Sequence, residues 1–448
     1  MRMESIKELK HLLVTVFLTG IANFIVIPAI TDVTIAALCP SQPKCSLAIF
    51  LSGFQQAVTA VGAVVMTPLI GNLSDQYGRR ALLTVPLTVS IIPLVILACS
   101  RETNYFYAYY AVRTVASMVG EGSVHCLTMS YVADKTEEGK RASAFGILGG
   151  VGSAAFVCGT LVSRFLSTAL TFQVSAVLSM IAVVYMRIFL QESVPVGARG
   201  LRQPMLEESE EPHVKEECEI NDSAQKTSGL FKSLPPVREA IHLFKRSPTF
   251  SQAAFVTFFN SLADGGLQTS ILYYLKARFQ FDKTQFADLM LIGGIGATLV
   301  QLLLMPIVVP ALGEEKLLAT GLFVGCLSIL VYSVSWAPWV PYAIAACSVF
   351  GVFVRPSICS IASKQVGPRE QGMVQGSLSG ITSFANIISP FIFSPLTALF
   401  LSEKAPFYFP GFSIMCASLA MMIAFIQSMM IRVVPSDVGG RGCRDPLV

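Results

Sequence analysis

Charge is scarce in this chain. Of its 448 residues only 13% are Asp, Glu, Lys or Arg, while 53% are hydrophobic. Soluble domains carry about 25% charged residues. Half that density cannot cover a water-facing surface, so most of the exterior must meet lipid. Nucleic acid is excluded as a partner: the net charge of +4 comes from 32 basic and 28 acidic residues with no basic stripe among aromatics. No G-x-x-x-x-G-K-[ST] phosphate loop occurs, which excludes ATP-driven transport at the level of motif. No C-x-x-C or H-x-x-H spacing and no nucleophile–base set stands out, so neither a metal, a cofactor nor an enzymatic activity is expected. The 11 Cys are scattered, mostly singly within apolar runs, and read as small core hydrophobes. Cys39 and Cys45 differ, because a polar connection holds both. A disulfide there needs an oxidising compartment, and a short Pro-rich loop can hold the pair badly; both readings stay open.

What the chain does have is long apolar runs. The one from His11 to Leu38 is too long for the core of a cleavable signal and reads as a first membrane span. A span needs about 20 mostly apolar residues. Twelve such stretches are expected, near 11–36, 47–70, 81–100, 105–131, 142–164, 168–190, 250–274, 284–309, 316–336, 339–362, 372–399 and 408–432. The fold class is therefore an all-α membrane protein of twelve transmembrane helices in two six-helix bundles. The bundles cover 1–190 and 248–434, with a tail at 435–448. Between them, 191–247 is polar and acidic around Glu207–Pro212 and is expected to be a largely disordered linker.

With the N-terminus in the cytosol, 22 of the 32 Lys and Arg fall on the cytosolic side, seven on the other side and three (Arg113, Arg187, Arg355) inside spans. The positive-inside bias then places both termini and the linker in the cytosol. The Asn-x-Ser sequons at Asn72 and Asn221 fall on that side too, where they would not be glycosylated.

The two halves repeat. Pro68 closes span 2 as Pro306 closes span 8. Arg113 in span 4 parallels Arg355 in span 10. Arg141 enters span 5 as Gln371 enters span 11. Near-constant offsets across six spans argue for duplicated units, a known transporter architecture.

Between spans 2 and 3 stands Gly71-Asn-Leu73-Ser-Asp75-Gln-Tyr-Gly78-Arg79-Arg80. Gly71 and Gly78 permit a tight turn and close helix approach. Asp75 offers a carboxylate to a helix N-terminus, and Arg79 and Arg80 suit an anionic membrane surface. This stretch resembles the G-x-L-x-D-x-x-G-R-R signature of the major facilitator superfamily, with a decayed copy around Gly313–Lys316. The resemblance implies that Gly71, Asp75, Gly78, Arg79 and Arg80 form a latch between the halves in the outward-facing state. Leu12 to Phe17, Pro28 to Asp32 and Tyr131 to Asp134 resemble the tetracycline-resistance-like branch that includes the hippocampus-abundant-transcript-like proteins. The chain departs from that branch at three places. Span 5 carries Cys158-Gly159-Thr160 in place of the antiporter glycines and proline, span 4 has Ser117 for a glycine, and span 1 has Thr19 for an acidic residue.

An ionised group at mid-membrane costs about 2.5–3.5 kcal/mol on insertion scales and so reads as functional. Arg113, Ser117, Glu121 and His125 recur every four residues in span 4, which puts them on one helix face. Glu121 is a candidate proton carrier and Arg113 a candidate substrate or counter-ion group. In span 7, Asn260 and Asp264 precede Gly265-Gly266, a pair expected to weaken the helix at mid-depth, where transporters bind substrate. Arg355 in span 10 either joins that pathway or snorkels to headgroups. Asp32 and Asp288 lie near span ends. Asn23, Gln55, Gln56, Gln268 and Asn386 either bond a polar substrate or bond between helices. The expectation is a monomeric carrier of a small organic molecule, with protons as the coupling ion and the bilayer as its surroundings. A receptor of the same shape without turnover, or a facilitated-diffusion uniporter, is the rival.

Overall fold

The computed structural model describes residues 3–38, 46–120, 122–193, 244, 247–281, 283–367, 370–401 and 405–431. Glu121, Cys39, Cys45, nearly all of the central linker and the C-terminal tail lie outside the described residues.

The described residues are helical throughout, with turns between and no strand. Lipid offers no hydrogen bonds to a backbone, so a spanning segment must satisfy its own N–H and C=O groups, as a helix does. The first half holds α1 (Met3–Leu38), α2 (Ser46–Tyr77), α3 (Arg79–Val89 and Ile91–Cys99), α4 (Thr103–Gly120 and Ser123–Lys135), α5 (Arg141–Ser163) and α6 (Thr168–Phe189). The second half holds α7 (Pro248–Phe279), α8 (Lys283–Leu299, then Met305–Leu312), α9 (Glu314–Ser333), α10 (Val340–Ser348, then Val354–Ser363), α11 (Gln371–Phe400) and α12 (Phe412–Ser428). Each falls on an expected span. Among the described residues nine helical stretches are long and apolar enough to cross a membrane, and α12 is a shorter apolar helix. The two left over, α4 and α7, are those that carry most of the polar candidates.

Breaks in the helices have local causes. In α8 a π turn, Val300–Leu304, directly precedes Pro306, whose ring and missing N–H cannot continue the regular ladder. In α10 a 3-10 turn, Val349–Phe353, serves Pro356 in the same way. In α4 the break is at Gly122, with φ +87°. The expectation that Arg113, Ser117, Glu121 and His125 share one continuous face is therefore corrected: the helical register is interrupted between Ser117 and His125. The expected weak point in α7 is corrected as well. That helix runs unbroken through Gly265 and Gly266. A Cβ on Gly265 would sit 2.7 Å from Ser389 Oγ, and one on Gly266 would sit 2.7 Å from the Phe393 ring. The glycines let α7 lie close against α11.

Inside the halves, α1 packs on α5 and α6, and α7 packs on α11 and α12. Between the halves, α2 runs along α11 and α5 along α8. Large apolar side chains point outward, among them Ile188 (66% exposed), Ile307 (69%) and Phe391 (73%), as a lipid-facing surface requires.

Candidate functional site

The Gly71–Arg80 stretch, where α2 gives way to α3, is a contact between the halves. Asp75 accepts hydrogen bonds from the backbone N–H groups of Gly372 (3.0 Å) and Met373 (2.9 Å), the first turn of α11. These donors have no partner within their own helix, and the helix dipole favours an anion there. The Arg79 guanidinium pairs with Asp75, donates to Ser74 Oγ, and donates from Nε to Asp134 Oδ2 at 3.0 Å. Arg79 is 1% exposed, so this charge survives burial through its pairing with two carboxylates. Gly71 is needed for the fit, since a Cβ there would collide with the Gly372 carbonyl. Gly78 adopts φ +97°, and a Cβ on it would lie 2.7 Å from the Glu192 carboxyl. That carboxylate accepts from the N–H groups of Arg79 (2.6 Å) and Arg80 (3.2 Å), and so caps α3. Arg80 itself donates to the Arg187 carbonyl.

The second half repeats this device with the charges exchanged. Gly313 opens α9 at φ +80° and ψ 159°, close to the φ 97° and ψ 149° of Gly78 at the start of α3. The residue after Gly78 is Arg79, which pairs with Asp134 at the end of α4. The residue after Gly313 is Glu314, which pairs with Lys364 at the end of α10, 3.0 Å away. The entrances of α5 and α11 also correspond. Arg141 Nη1 donates to the Ser363 carbonyl at 3.0 Å, reaching the other half, and Ser130 Oγ, also of the first half, donates to the Gln371 carbonyl at 3.5 Å.

A second constellation lies deeper. Asn260 Nδ2 donates to Asp264 Oδ2 at 3.0 Å. Asp264 is solvent-exposed although it lies midway along α7, among many neighbouring residues. Arg355 of α10 is within electrostatic reach of Asp264 and of His125 of α4. Asn386 of α11 is beside Gly265, its Oδ1 3.6 Å from where a Cβ would be. Gln268 is exposed one turn beyond Asp264. His125 faces a cavity of about 340 Å³ lined also by Phe24, Gly149, Gly152, Phe156 and Gly294.

Other candidates stand apart from this cluster. Arg113 is half-buried, and its electrostatic neighbour is Tyr109. Ser117 is half-buried on the same part of α4. Gln55 binds helix to helix, donating to Thr114 Oγ1 (3.1 Å) and the Tyr110 carbonyl (3.4 Å). Asn23 and Gln56 are exposed. Asp288 lies 4.0 Å from Arg164 at the end of the bundle away from the latch. Glu121 and the Asp32 side chain lie outside the described residues.

Sequence reasoning missed Asp134, Glu192, Glu314 and Lys364 as latch residues. The signal for Glu314 was the decayed copy of the turn motif around Gly313–Lys316. It also missed Gln301, which sits in the π turn of α8, is buried, and has an Oε1 without a hydrogen-bond partner.

A polytopic helical protein with two latched halves and ionisable side chains in its spanning helices has the build of a membrane carrier. The chain belongs to the Major Facilitator Superfamily, whose profile matches residues 12–251 and 253–438. It is a transporter and not an enzyme. It is 23% identical to the human "Hippocampus abundant transcript 1 protein" over 402 residues, 88% of this chain and 74% of the relative. It is also 23% identical to the Escherichia coli "Tetracycline resistance protein, class E", over 76% of this chain and 77% of that one. The solved structure of the human organic anion transporter MFSD10 (TETRAN) superposes with a TM-score of 0.74 and 16% identity, covering 95% of this chain and 99% of the other.

Proposed function

We propose that this chain moves a small organic solute by alternating access and couples the movement to protons, with Asp264 as the proton carrier. The observation that carries the reading is the position of Asp264. It is an ionisable carboxylate in a spanning helix, solvent-exposed, hydrogen-bonded by Asn260 and within electrostatic reach of Arg355. A group so placed is costly, and its presence is therefore read as a function in the pathway. The latch joins the halves on one side, and its release would open that side. Glu121 remains a second candidate carrier on the sequence argument alone. The Lys/Arg bias supports a cytosolic position for the latch, both termini and the linker.

Sealed vesicles containing the purified protein test both parts. Asp264→Asn keeps the shape and removes the titration. It should abolish accumulation driven by a pH gradient and spare counterflow exchange, which needs no net proton movement. Unchanged accumulation would move the role to Glu121, to be tested as Glu121→Gln. Accumulation by both variants would sink proton coupling through either carboxylate. In right-side-out vesicles an antibody to the 435–448 tail should bind only after permeabilisation.

A further inference from the structure

We propose that Gln301 is a release spring in the seam between the halves: its amide oxygen is left unpaired only while the latch is closed, and so weakens the latched arrangement. The proposal rests on the alternating-access reading above and adds what keeps the latch reversible. α8 of the second half meets α5 of the first, and the α5 side of this seam is glycine. A Cβ on Gly146 would sit 2.5 Å from Met305 Cγ, and one on Gly150 would sit 2.7 Å from Leu302 Cδ2 and 3.1 Å from Gln301 Cβ. A Cβ on Gly149 would collide with Gln301 Oε1. The amide oxygen of one half is therefore pressed onto the backbone of the other. Gln301 is 8% exposed, its Oε1 is sealed from water, and among the described residues no N–H or O–H donor reaches it. The group it faces, the Gly149 Cα–H, is a weak donor.

Packing alone does not call for an amide here. Leu302, the next residue, lies against Gly150, so an apolar side chain suits the seam. Gln301 reaches Gly149 because it lies in the π turn Val300–Leu304, ahead of Pro306. A π turn holds an extra residue and re-aims the side chains around it, and such turns recur at functional sites. The magnitudes decide what the contact does. An unpaired buried acceptor disfavours a state by about 5–100-fold. Asp75 on the first turn of α11 favours the same state by about 10–100-fold on that scale. The two effects are of one size and opposite sign, so the closed arrangement is not a trap. Gly149 lies nearer to Arg141, at the latch end of α5, than to Arg164 at the far end. Opening the latch side parts Gln301 from Gly149 and returns Oε1 to water.

The experiment measures how fast a water-soluble maleimide labels Cys126 in the full chain in lipid nanodiscs. Cys126 is buried beside the Gly372 carbonyl in the closed seam, so labelling reads the open fraction without any solute. A Cys126→Ser control subtracts the other cysteines. Gln301→Leu removes the amide and should slow labelling about 5–100-fold. Gln301→Met keeps the unbranched shape, removes the same oxygen and should act alike, which decides the matter if the leucine variant does not fold. In the Asp75→Asn background, Gln301→Leu should bring labelling back toward the unmodified rate. Labelling that is unchanged or faster in the Gln301 variants would overturn the proposal. A raised thermal midpoint with unchanged labelling would do the same, because it marks a side chain that only packs. Solute flux in sealed vesicles separates this proposal from the transport reading. Slowed labelling in a chain that carries no solute keeps the spring and removes transport. Unchanged labelling in variants with intact flux removes the spring and leaves transport standing.

Discussion

Individual residues in the latch have separable energetic roles. Gly78 and Gly313 share a backbone conformation, φ 97° and 80° with ψ 149° and 159°, that is essentially reserved for glycine. A side chain there costs on the order of 1–3 kcal/mol. Only Gly78 also has a neighbour in the way, the Glu192 carboxyl at 2.7 Å; a Cβ on Gly313 would meet nothing within 4 Å. Ala at either position should lower the thermal midpoint in detergent, and Gly78→Ala should lower it more, because it also disturbs the cap on α3. Equal shifts would mean that Glu192 yields without cost. Glu192 itself was not legible in the sequence, because it is 113 residues from the Arg79 N–H it accepts from. Asp75 was legible, because the spacing of its turn is a local pattern and its partner, a helix N-terminus, is a general one.

At the scale of elements, periodicity located every span and failed on their interiors. A hydropathy window sees an apolar run but not a break within it, so the interruption of α4 at Gly122 was hidden behind a regular four-residue series. The double glycine of α7 misled in the opposite direction. Glycine is a poor helix former on its own, yet in a membrane small residues are often the contact surface between helices. Which role applies depends on whether another helix lies alongside, and that is a tertiary fact. Gly266→Ala would place a methyl group 2.7 Å from the Phe393 ring. It should destabilise the protein by about 1–3 kcal/mol through overpacking. Adding Phe393→Leu should restore much of the loss, because it removes the obstructing ring. A double-mutant cycle on detergent unfolding measures this coupling. A hinge role would instead leave Gly266→Ala costly with either residue at 393.

For the whole molecule, the closed side is a two-body contact: α2 against α11 and α5 against α8. Duplication made its position legible, since paired motifs mark the ends that meet; the exchange of charges between Arg79–Asp134 and Glu314–Lys364 needed the fold. The chain carries its own probe of this contact. Cys126 is 0% exposed and donates from Sγ to the Gly372 carbonyl at 3.7 Å, inside the seam that Asp75 closes. While the halves are latched, a water-soluble maleimide should not reach it. Asp75→Asn removes the charge that draws the first turn of α11, at a cost of roughly 1.5–3 kcal/mol for hydrogen bonds to a charged group. At 1.4 kcal/mol per factor of ten, the ratio of open to latched molecules should rise about 10–100-fold. Labelling of Cys126 in membranes should accelerate by a similar factor, and the Cys126→Ser variant fixes the background from the other cysteines. Gly71→Leu, which cannot seat against the Gly372 carbonyl, should act in the same direction. Slow labelling in both variants would mean that the apolar seam alone holds the halves together, with Asp75 fixing only the register of α11. Fast labelling of the unmodified chain would mean that the open arrangement is already the main population in a bilayer. The latch would then act as a transient stop within the transport cycle.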